Sequence, residues 1–483
     1  MSYQIEPNRS QQALPIGSYD SLVKMDHPVR FIWNCISALN MNEIGFPDSS
    51  LRDGRPNYSP RMMLAVLIYS FFSGVHSFRE MEIACTERTP FLWLTGDANP
   101  DHNSFWRFAK NHQEQLHQAF AQIVRMAVEA NCVDFVLHAI DGTKIAAACS
   151  SSKIWDKSKL EKMLARLEKA YTEQVKKLQE EYENSVETCP IPPELLALAE
   201  KVEQYKHRLE QVNSEGTKRL NPREPEARPV KCGSQILQGF NAQIGVDSKE
   251  WIIVSELLTN EANDLNQLTA VLDQVKENTG RNAEESLADT GYANSQELAK
   301  AAEKAYQVLV NLKDEEEAQA VDPFHHSKFV VDLENLTCVC PLGCQLAYQG
   351  LEWSAHKTYK NFVFQCRRYR DCVERLACSH AVDGRKIKIG EYSWAMDAQR
   401  EKQKDPLKKA LLKQRGRIVE LVFAVIKHVL GIRRFRWWGM GSAASQWSLL
   451  TMTCNVKRLY EIWRAGRIRW DASGGCLKLQ PTI

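Results

Sequence analysis

The sequence contains no apolar stretch of the roughly 20 residues that a membrane-spanning helix requires. Its richest apolar window, Ile418 to Ile432, is interrupted by Glu420, Lys427 and His428. Residues 1–19 are polar and include no apolar run of signal-peptide length. We therefore expect a cytoplasmic protein with no membrane partner, in which the 14 cysteines are reduced thiols or metal ligands rather than disulfides.

A large net charge is also absent. The formal charge is only +2, which argues neither for nor against a nucleic-acid partner. The charge is unevenly distributed, because residues 401–470 contain 16 Lys and Arg against four acids. Such a segment can follow a phosphate backbone. It also contains five tryptophans, Trp437, Trp438, Trp447, Trp463 and Trp470. A solvated helix face above core tryptophans is the alternative interpretation.

The C-x2-C pair of many zinc sites is missing as well. Six cysteines fall close together at C-x-C, C-x3-C and C-x5-C spacings: Cys338, Cys340, Cys344, Cys366, Cys372 and Cys378. Four thiolates suffice to hold a structural Zn²⁺. We select Cys340, Cys366, Cys372 and Cys378 as the candidate zinc ligands. Free thiols in a small domain are the alternative.

At 483 residues the chain is too long for one ordinary core. Changes of pattern predict a polar tail (1–19), a helical domain (20–130), the first part of a core (131–312), a cysteine-rich insertion (313–400), the last part of the core with a basic region (401–470), and a second tail (471–483). Apolar residues at helical spacing, interrupted by prolines, predict an inserted helical hairpin over 156–215. This hairpin is suited to dimerisation or to a solvated intramolecular role.

The order of the predicted elements indicates an α/β fold. Apolar periodicity predicts helices over 62–72, 78–85, 104–130, 263–278, 295–304 and 406–430, and strands over 134–147, 240–246, 251–254, 286–289 and 308–310. Residues 313–400 are predicted to be irregular. Without the insertions, the order is typical of a ribonuclease-H-like core, a mixed sheet flanked by helices. The ends of strands and an adjoining helix meet at one edge of such a sheet, where polar residues can bind a ligand.

Three carboxylates are placed for metal chemistry at that edge. Asp141 and Asp289 each end an apolar run, and Glu420 lies in the predicted 406–430 helix. Two Mg²⁺ ions roughly 3.5–4 Å apart, held by hard oxygen ligands, are suited to phosphodiester cleavage. We predict that Asp141 bridges both ions, Asp289 holds one and Glu420 holds the other. Strand-end turns at the two aspartates, and a surface ion-pair ladder on the helix, are the alternatives.

Basic side chains near these acids are candidate phosphate contacts. Arg417 and Lys427 share a helix face with Glu420, because they lie one turn before it and two turns after it. The complete set of predicted DNA-binding residues is Arg417, Lys427, Arg433 and Arg434, with Arg55, Arg61, Arg79 and Arg107 in the helical domain.

Several short motifs occur in a fixed order over nearly the whole chain. They are Gly54-Arg55-Pro56 with Tyr58-Ser59-Pro60, Pro100-Asp101-His102, Ala139 to Lys144, Gly239 to Gln243, Ala288 to Tyr292, Arg417 to Glu420, and Gly431 to Gly439. The ordered series resembles the DDE transposases of prokaryotic insertion sequences, in the long subgroup with a helical N-terminal transposase domain and a cysteine-bearing insert.

The resemblance implies an enzyme, a polynucleotidyl transferase and endonuclease with a two-metal mechanism using Mg²⁺ or Mn²⁺. Asp141, Asp289 and Glu420 would take its catalytic positions. A metal-activated water would cleave the strand at the end of the element, and the freed 3′-hydroxyl would attack target DNA. No tyrosine nucleophile is needed, Tyr292 included. The implied partners are double-stranded DNA, as element ends and target, and a second copy of the chain in a homodimer on DNA.

Two departures from the family pattern stand out. Gln446 and Trp447 lie where the family often has another acid, and residues 260–264 replace a more usual turn containing His. A catalytically inactive DNA-binding protein that retains the fold is the main alternative. A zinc-containing, coiled-coil adaptor is a third, and it leaves the acids and the strand order unexplained.

Overall fold

The structure, a computed structural model, describes residues 18–46, 58–96, 98–150, 154–183, 192–214, 216, 218–232, 234–312, 321–354, 359–471 and 478–482. The chain forms two compact units. Residues 1–131 and 425–483 form the helical unit, and residues 132–424 form the sheet unit. None of the described helices has both the length and the apolar composition that crossing a membrane requires.

The helical unit is built around two buried helices. Its helices are α1 (Tyr19–Leu22), α2 (Pro28–Ser37), α3 (Met41–Ile44), α4 (Pro60–Phe72), α5 (Phe78–Glu87), α6 (Thr89–Thr95), α7 (His102–Asn111), α8 (Gln113–Glu129) and a long C-terminal helix (Met440–Arg464). Every residue of α4 from Met62 to Phe71 is buried. The C-terminal helix is also buried over most of its length and packs against α4 and α8. A helix that is apolar all round belongs in a core.

Local sequence signals explain where these helices begin and end. The helices predicted over 62–72 and 78–85 are present as α4 and α5. Ser77 accepts the Glu80 backbone N–H, and the Glu80 carboxylate accepts the Ser77 N–H, so α5 begins with a capping box. The single helix predicted over 104–130 is wrong, because His112 leaves the helical conformation (φ −122°, ψ 39°) between α7 and α8.

The C-terminal end of the helical unit contains a short antiparallel pair of strands. Residues Ile468–Asp471 pair with Lys478–Pro481. Part of the predicted tail 471–483 is therefore a strand.

The sheet unit contains a six-stranded mixed sheet. Its strands are β1 (Leu137–Ala146), β4 (Arg228–Cys232), β5 (Gln235–Asp247), β6 (Ile253–Thr259), β7 (Glu285–Ala288) and β8 (Val308–Val310). The order is β4-β5-β1-β7-β8, with β6 also paired to β5. Strand β5 is antiparallel to β1, β4 and β6, whereas β7 is parallel to β1 and β8. Four strands joined by antiparallel pairing (β4, β6, β5 and β1), followed by two that run parallel to β1 (β7 and β8), form the mixed sheet predicted for a ribonuclease-H-like core.

Two helices complete the hydrophobic core on this sheet. Helix α11 (Leu268–Thr279) packs against β5 and β6, and α12 (Ser295–Glu303) packs against α11. Their apolar side chains join Ile140 and Tyr292 in one buried cluster. The packing fixes the positions of the residues at the ends of β1 and β7.

A helical hairpin lies between β1 and β4 in the chain. Helices α9 (Lys157–Glu183) and α10 (Pro193–Ser214) pack against each other, and the short strands β2 (Trp155–Asp156) and β3 (Arg219–Leu220) pair at its base. A small buried cluster of Leu160, Val212 and Leu220 supports that base. The predicted hairpin is therefore present as an intramolecular pair of helices.

The segment predicted to be irregular, 313–400, contains a second sheet, so that prediction is wrong. Its five antiparallel strands are β9 (Val330–Asp332), β10 (Thr337–Val339), β11 (Gln345–Trp353), β12 (Lys360–Gln365) and β13 (Lys386–Gly390). A core of Phe329, Cys338, Leu346, Phe364 and Ile387 holds it together. Four of these strands have at most six residues, and such short strands joined by polar turns give too weak a periodicity to be recognised in the sequence.

The helix predicted over 406–430 is also wrong as a single element. It is divided into Pro406–Leu412, Gln414–Ala424 (the Glu420 helix) and a π-helical turn, Val425–Val429. A further helix, Ser393–Lys404, precedes them, and Arg375–Cys378 forms one short turn of helix. The predicted last part of the core, 401–470, is split, because the sheet unit ends at Ala424 and residues 425–470 belong to the helical unit.

Candidate active site

Two of the predicted acids lie side by side on neighbouring parallel strands. In the β1–β7 register, Ala139 is opposite Leu287. Two residues further along each strand direction are Asp141 and Asp289, so both carboxylates are carried to the same level of the sheet. The Asp289 charge is close enough to raise the pKa of Asp141. The sequence-based expectation that these two acids converge therefore agrees with the sheet register.

Asp141 is held by an arginine from the Glu420 helix. The Arg415 Nη1 atom lies 2.8 Å from Asp141 Oδ2, and both side chains are only 19% exposed. The backbone N–H of Gly142 donates to Asp141 Oδ1 at 2.8 Å. Burial raises the pKa of Asp141 and the Arg415 charge opposes that rise. The ionised carboxylate is thus balanced by a guanidinium group in this structure.

Asp289 is oriented by the turn that follows its strand. Its Oδ1 atom accepts the backbone N–H of Gly291 at 2.8 Å, at the start of the 3-10 turn Thr290–Tyr292. The second carboxylate oxygen is not used by that turn. An aspartate held in this way keeps one oxygen for a ligand.

A third aspartate, Asp264, lies against this pair and was missed by the sequence analysis. Its Oδ1 atom accepts bonds from Lys144 at 2.8 Å, Asn241 at 2.8 Å and Gln243 at 2.6 Å. A Cβ atom added at Gly142 would lie 2.6 Å from the same oxygen. Asp264 belongs to 260–264, the segment that departs from the family pattern, and no local motif identifies it.

Tyr292 closes the buried side of the site. Its hydroxyl donates to Gln243 Oε1. Burial raises the pKa of Tyr292 well above its usual value, and the charges of Asp264, Asp141 and Asp289 raise it further. The phenol therefore stays neutral, as expected for a tyrosine without a nucleophilic role.

Glu420, the third predicted acid, is not joined to the two aspartates. The Glu420 helix packs against β1 and β5, but the Glu420 side chain is exposed, and so is Arg417. Within the described residues, no three His, Cys, Asp or Glu side chains are grouped so that they could hold a metal ion. The structure brings together Asp141, Asp289, Asp264 and Arg415, and leaves Glu420 on the neighbouring helix.

Comparison with known protein families shows to which family the chain is related. Residues 17–111 match a family described as a transposase domain (DUF772), and residues 339–460 match a family described as a transposase DDE domain. No curated protein is significantly similar to the chain. The chain belongs to the DDE transposases of insertion sequences. It therefore functions in DNA transposition, acts on DNA and has a ribonuclease-H-like fold.

Only one of the three predicted catalytic acids of the transposase lies inside a matched range. Glu420 lies inside the range matched to the DDE domain, whereas Asp141 and Asp289 lie between the two ranges. The cysteine-rich segment from residue 339 onward is also inside the DDE match.

The cysteines of the transposase form one neighbourhood on the second sheet. Burial raises the pKa of Cys366 and Cys378, and nearby Cys340 and Cys372 raise it further. The backbone N–H of Cys344 donates to Cys340 Sγ at 3.3 Å. Cys338 is different, because it is fully buried in the sheet core. The four predicted ligands are neighbours, although the thiols of the described residues are not arranged as a metal site.

The predicted DNA-binding arginines differ in their surroundings. Arg79, Arg107, Arg433 and Arg434 are exposed, and Lys427 is half-buried. Arg61 is structural instead, because its Nη1 atom donates to the carbonyl oxygens of Ile36 and Ser37, each at 2.8 Å. Arg55 lies outside the described residues.

Proposed function

We propose that the transposase cleaves DNA strands at the ends of its element and transfers the freed 3′-hydroxyl to target DNA. The observation that carries this proposal is the pair of carboxylates, Asp141 and Asp289, at one level of β1 and β7, with Asp264 and Arg415 against them. A concentration of negative charge at the end of a parallel strand pair is suited to binding a cation beside a phosphate.

The donor set fits divalent metal ions of the magnesium type. Asp141 and Asp289 offer hard oxygen ligands, and the partial burial of Asp141 strengthens its attraction for a cation. We propose that Asp141, Asp289 and Glu420 hold two Mg²⁺ or Mn²⁺ ions. Bound metal ions activate water or a sugar hydroxyl and neutralise charge on the phosphate.

The chain's own residues would orient and neutralise this site. The N–H groups of Gly142 and Gly291 fix the two carboxylates. Lys144 and the amides of Asn241 and Gln243 hold Asp264. With a cation bound to Asp141, the guanidinium group of Arg415 would no longer be needed to balance that carboxylate. It would then contact a DNA phosphate instead. Glu420 would complete the site through a shift of its exposed side chain.

Strand cleavage is tested with a supercoiled plasmid that carries the element's ends. The wild type with Mg²⁺ should nick the plasmid, and Asp141→Asn or Asp289→Asn should lower the rate by on the order of a hundredfold or more, because several kcal/mol of charge stabilisation are lost. Asp397→Asn is the matched control, since Asp397 forms only an exposed ion pair with Arg400 in the same unit. Equal nicking by all four proteins would refute the assigned site.

DNA binding without catalysis is the second candidate function. It is favoured by the Arg415–Asp141 ion pair and by the absence of a grouped metal site in the described residues. A mobility-shift assay with EDTA distinguishes the two functions when it is run beside the nicking assay. Specific binding to element ends with no nicking at any Mg²⁺ or Mn²⁺ concentration would establish the second.

We also propose that Cys340, Cys366, Cys372 and Cys378 hold one structural zinc ion. Their mutual proximity supports this proposal. Elemental analysis of the purified protein should find one Zn²⁺ per chain, and Cys372→Ser should release it. Cys344→Ser is the informative comparison, because its thiol is a neighbour but not an assigned ligand. Zinc-free wild-type protein would leave the cysteines as free thiols.

The DNA contacts and the oligomeric state complete the proposal. Arg79, Arg107, Arg417, Lys427, Arg433 and Arg434, together with Arg55, are proposed to contact DNA phosphates. The transposase is proposed to act as a homodimer on DNA, so that two element ends can be joined in one complex.

A further inference from the structure

The helical unit contains a cavity that has no part in the proposed catalytic site. Its volume is about 490 Å³, within the usual range for small-molecule sites of about 300–1,000 Å³. Residues from the starts of α5 and α7 and from the segment before the C-terminal helix line it: His76, Ser77, Phe78, Arg79, His102, Asn103, Trp106, Arg436, Trp437 and Trp438. The cavity is therefore built from three separate parts of the sequence within one unit.

The charged groups that line the cavity are cations. Arg79 and Arg436 are both exposed, and within the described chain neither guanidinium group donates a hydrogen bond. Of the nearby carboxylates, Glu80 caps α5 and lies close enough to Arg436 for that charge to help lower its pKa, and Glu82 lies 2.7 Å from His102 Nδ1. The lining is therefore suited to an anionic ligand such as a phosphate, which an arginine can bind through two parallel hydrogen bonds.

Aromatic rings supply the rest of the lining. Trp106 is 46% exposed and Trp438 is 47% exposed, so part of each indole ring is open to a ligand. The ammonium group of Lys110 lies over the Trp106 ring, 4.8 Å from its centroid. Trp437 also lines the cavity and is stacked on Phe78, with ring centroids 4.7 Å apart. Trp437 is only 5% exposed, yet its indole N–H has no partner among the described residues. A buried donor without a partner is expected to bond a ligand or water.

The aromatic wall is held in place from behind. The side chain of Gln446, fully buried in the C-terminal helix, accepts the backbone N–H groups of Arg436 at 2.9 Å and Trp437 at 3.3 Å. On the other side, the capping box of α5 fixes the backbone next to Arg79. Binding would therefore require little ordering of the cavity, which favours affinity.

We propose that this cavity binds an unpaired DNA base together with its phosphate. Exposed indole rings stack on the face of any base, and each such stack contributes about 1–3 kcal/mol. The two arginines match the phosphate, while Asn103 and the Trp437 N–H line the same cavity and would bond the polar edge of the base. A duplex interior cannot enter a cavity of this size, because its bases are stacked on each other. The inference rests on the proposed function in one respect, that DNA is the substrate.

The test uses a duplex carrying one unpaired 2-aminopurine, whose fluorescence is quenched when it stacks on an indole. The same duplex, fully paired, is the reference DNA. The proteins are the wild type, Trp106→Ala, Trp438→Ala, Trp106→Phe and Arg436→Gln. Trp394→Ala is the matched control, because Trp394 is 49% exposed and lies in the sheet unit. Thermal unfolding of each variant checks that it is folded.

The wild type and the Trp394→Ala variant should bind the bulged duplex about tenfold more tightly than the paired one and quench its fluorescence. Trp106→Ala and Trp438→Ala should lose the preference while still binding paired DNA, and Trp106→Phe should retain part of it. Arg436→Gln should weaken binding of the bulged duplex. Thymidine monophosphate, used as a competitor, distinguishes a free nucleotide from a base within a strand.

Three results would overturn the proposal. Equal affinity of the wild type for both duplexes would refute the cavity's role and leave the proposed function intact. Tight binding of thymidine monophosphate without a preference for the bulge would assign the cavity to a free nucleotide. Failure to bind either duplex would refute the proposed function together with the cavity.

Discussion

Arg415 supplies to Asp141 the positive charge that a bound cation would provide. Without a cation or Arg415, Asp141 and Asp289 would repel each other at a partly buried position. An arginine can perform this role reversibly, because its guanidinium group also binds phosphate. At the residue scale, the Arg415–Asp141 ion pair therefore stabilises the site in the absence of metal. A metal ion would replace Arg415 beside Asp141, and a DNA phosphate would replace Asp141 beside Arg415.

Replacing Arg415 with glutamine should destabilise the metal-free protein by about 1–3 kcal/mol, because a partly buried carboxylate loses its charged partner. Urea denaturation in EDTA measures the loss. Mg²⁺ should restore more stability to the variant than it adds to the wild type, since the cation replaces the lost charge. Arg400→Gln removes an exposed ion pair with Asp397 and should cost under about 1 kcal/mol. Equal losses in the two variants would contradict this role of Arg415.

Gly142 allows the side chains of Gln243 and Asp264 to approach the backbone of β1 closely. A Cβ atom at Gly142 would lie 2.6 Å from Asp264 Oδ1, so Gly142→Ala should lower stability by about 1–3 kcal/mol and lower nicking activity with it. Gly416→Ala, in the Glu420 helix, is the control. Its Cβ would lie 3.3 Å from the carboxylate at the far end of the exposed Glu420 side chain, and alanine favours helix, so the stability of the variant should be unchanged or higher. Urea denaturation measures the stability of both variants. Wild-type stability of Gly142→Ala would argue against this close approach.

At the element scale, Gln446 holds the segment that carries Arg436 and Trp437. Gln446→Leu preserves the volume of the side chain but removes the acceptor of two backbone N–H groups. The loss should be about 1–3 kcal/mol, with hydrogen exchange at these two amides faster by about tenfold or more. Amides of α8 in the same unit serve as the internal reference. Unchanged exchange at Arg436 and Trp437 would show that another contact holds the segment.

Elements with strong local patterns were predictable from the sequence. The strand Val308–Val310 and helix α12 agree with prediction to within one residue, because each is a short apolar pattern between clear boundary residues. The π-helical turn at Val425–Val429 and the break at His112 were not predictable, since tertiary packing overrides helical spacing there. The second sheet was missed because its core uses one or two residues from each short strand.

The acids were predictable where a strand ends, and not elsewhere. Asp141 and Asp289 follow apolar runs, and the parallel β1–β7 pairing aligns them. Asp264 and Arg415 reach the same place from a loop and from a helix, by contacts over 120 and more residues of sequence. No local pattern encodes such a contact. The position of Glu420 in the site stays a prediction.

At the scale of the whole molecule, a net charge of +2 conceals a strongly uneven distribution. Cations are concentrated in 401–470, whereas the candidate active site gathers three aspartates. Electrostatic attraction of DNA therefore depends on particular exposed arginines rather than on overall charge. The salt dependence of binding measures how many of them touch phosphates.

Substitutions of Arg107 and Arg61 separate the salt dependence of DNA binding from the stability of the fold. Arg107 is exposed on α7, whereas Arg61 on α4 is half-buried and donates to two carbonyl oxygens. Arg107→Gln should lower the slope of log affinity against log salt by about 0.9, the value for one phosphate contact, and leave stability unchanged. Arg61→Gln should lose about 1–3 kcal/mol of stability and keep the slope. Fluorescence anisotropy with labelled duplex over a salt series, beside urea denaturation, measures both quantities. If Arg107→Gln keeps the wild-type slope, α7 does not lie along the DNA.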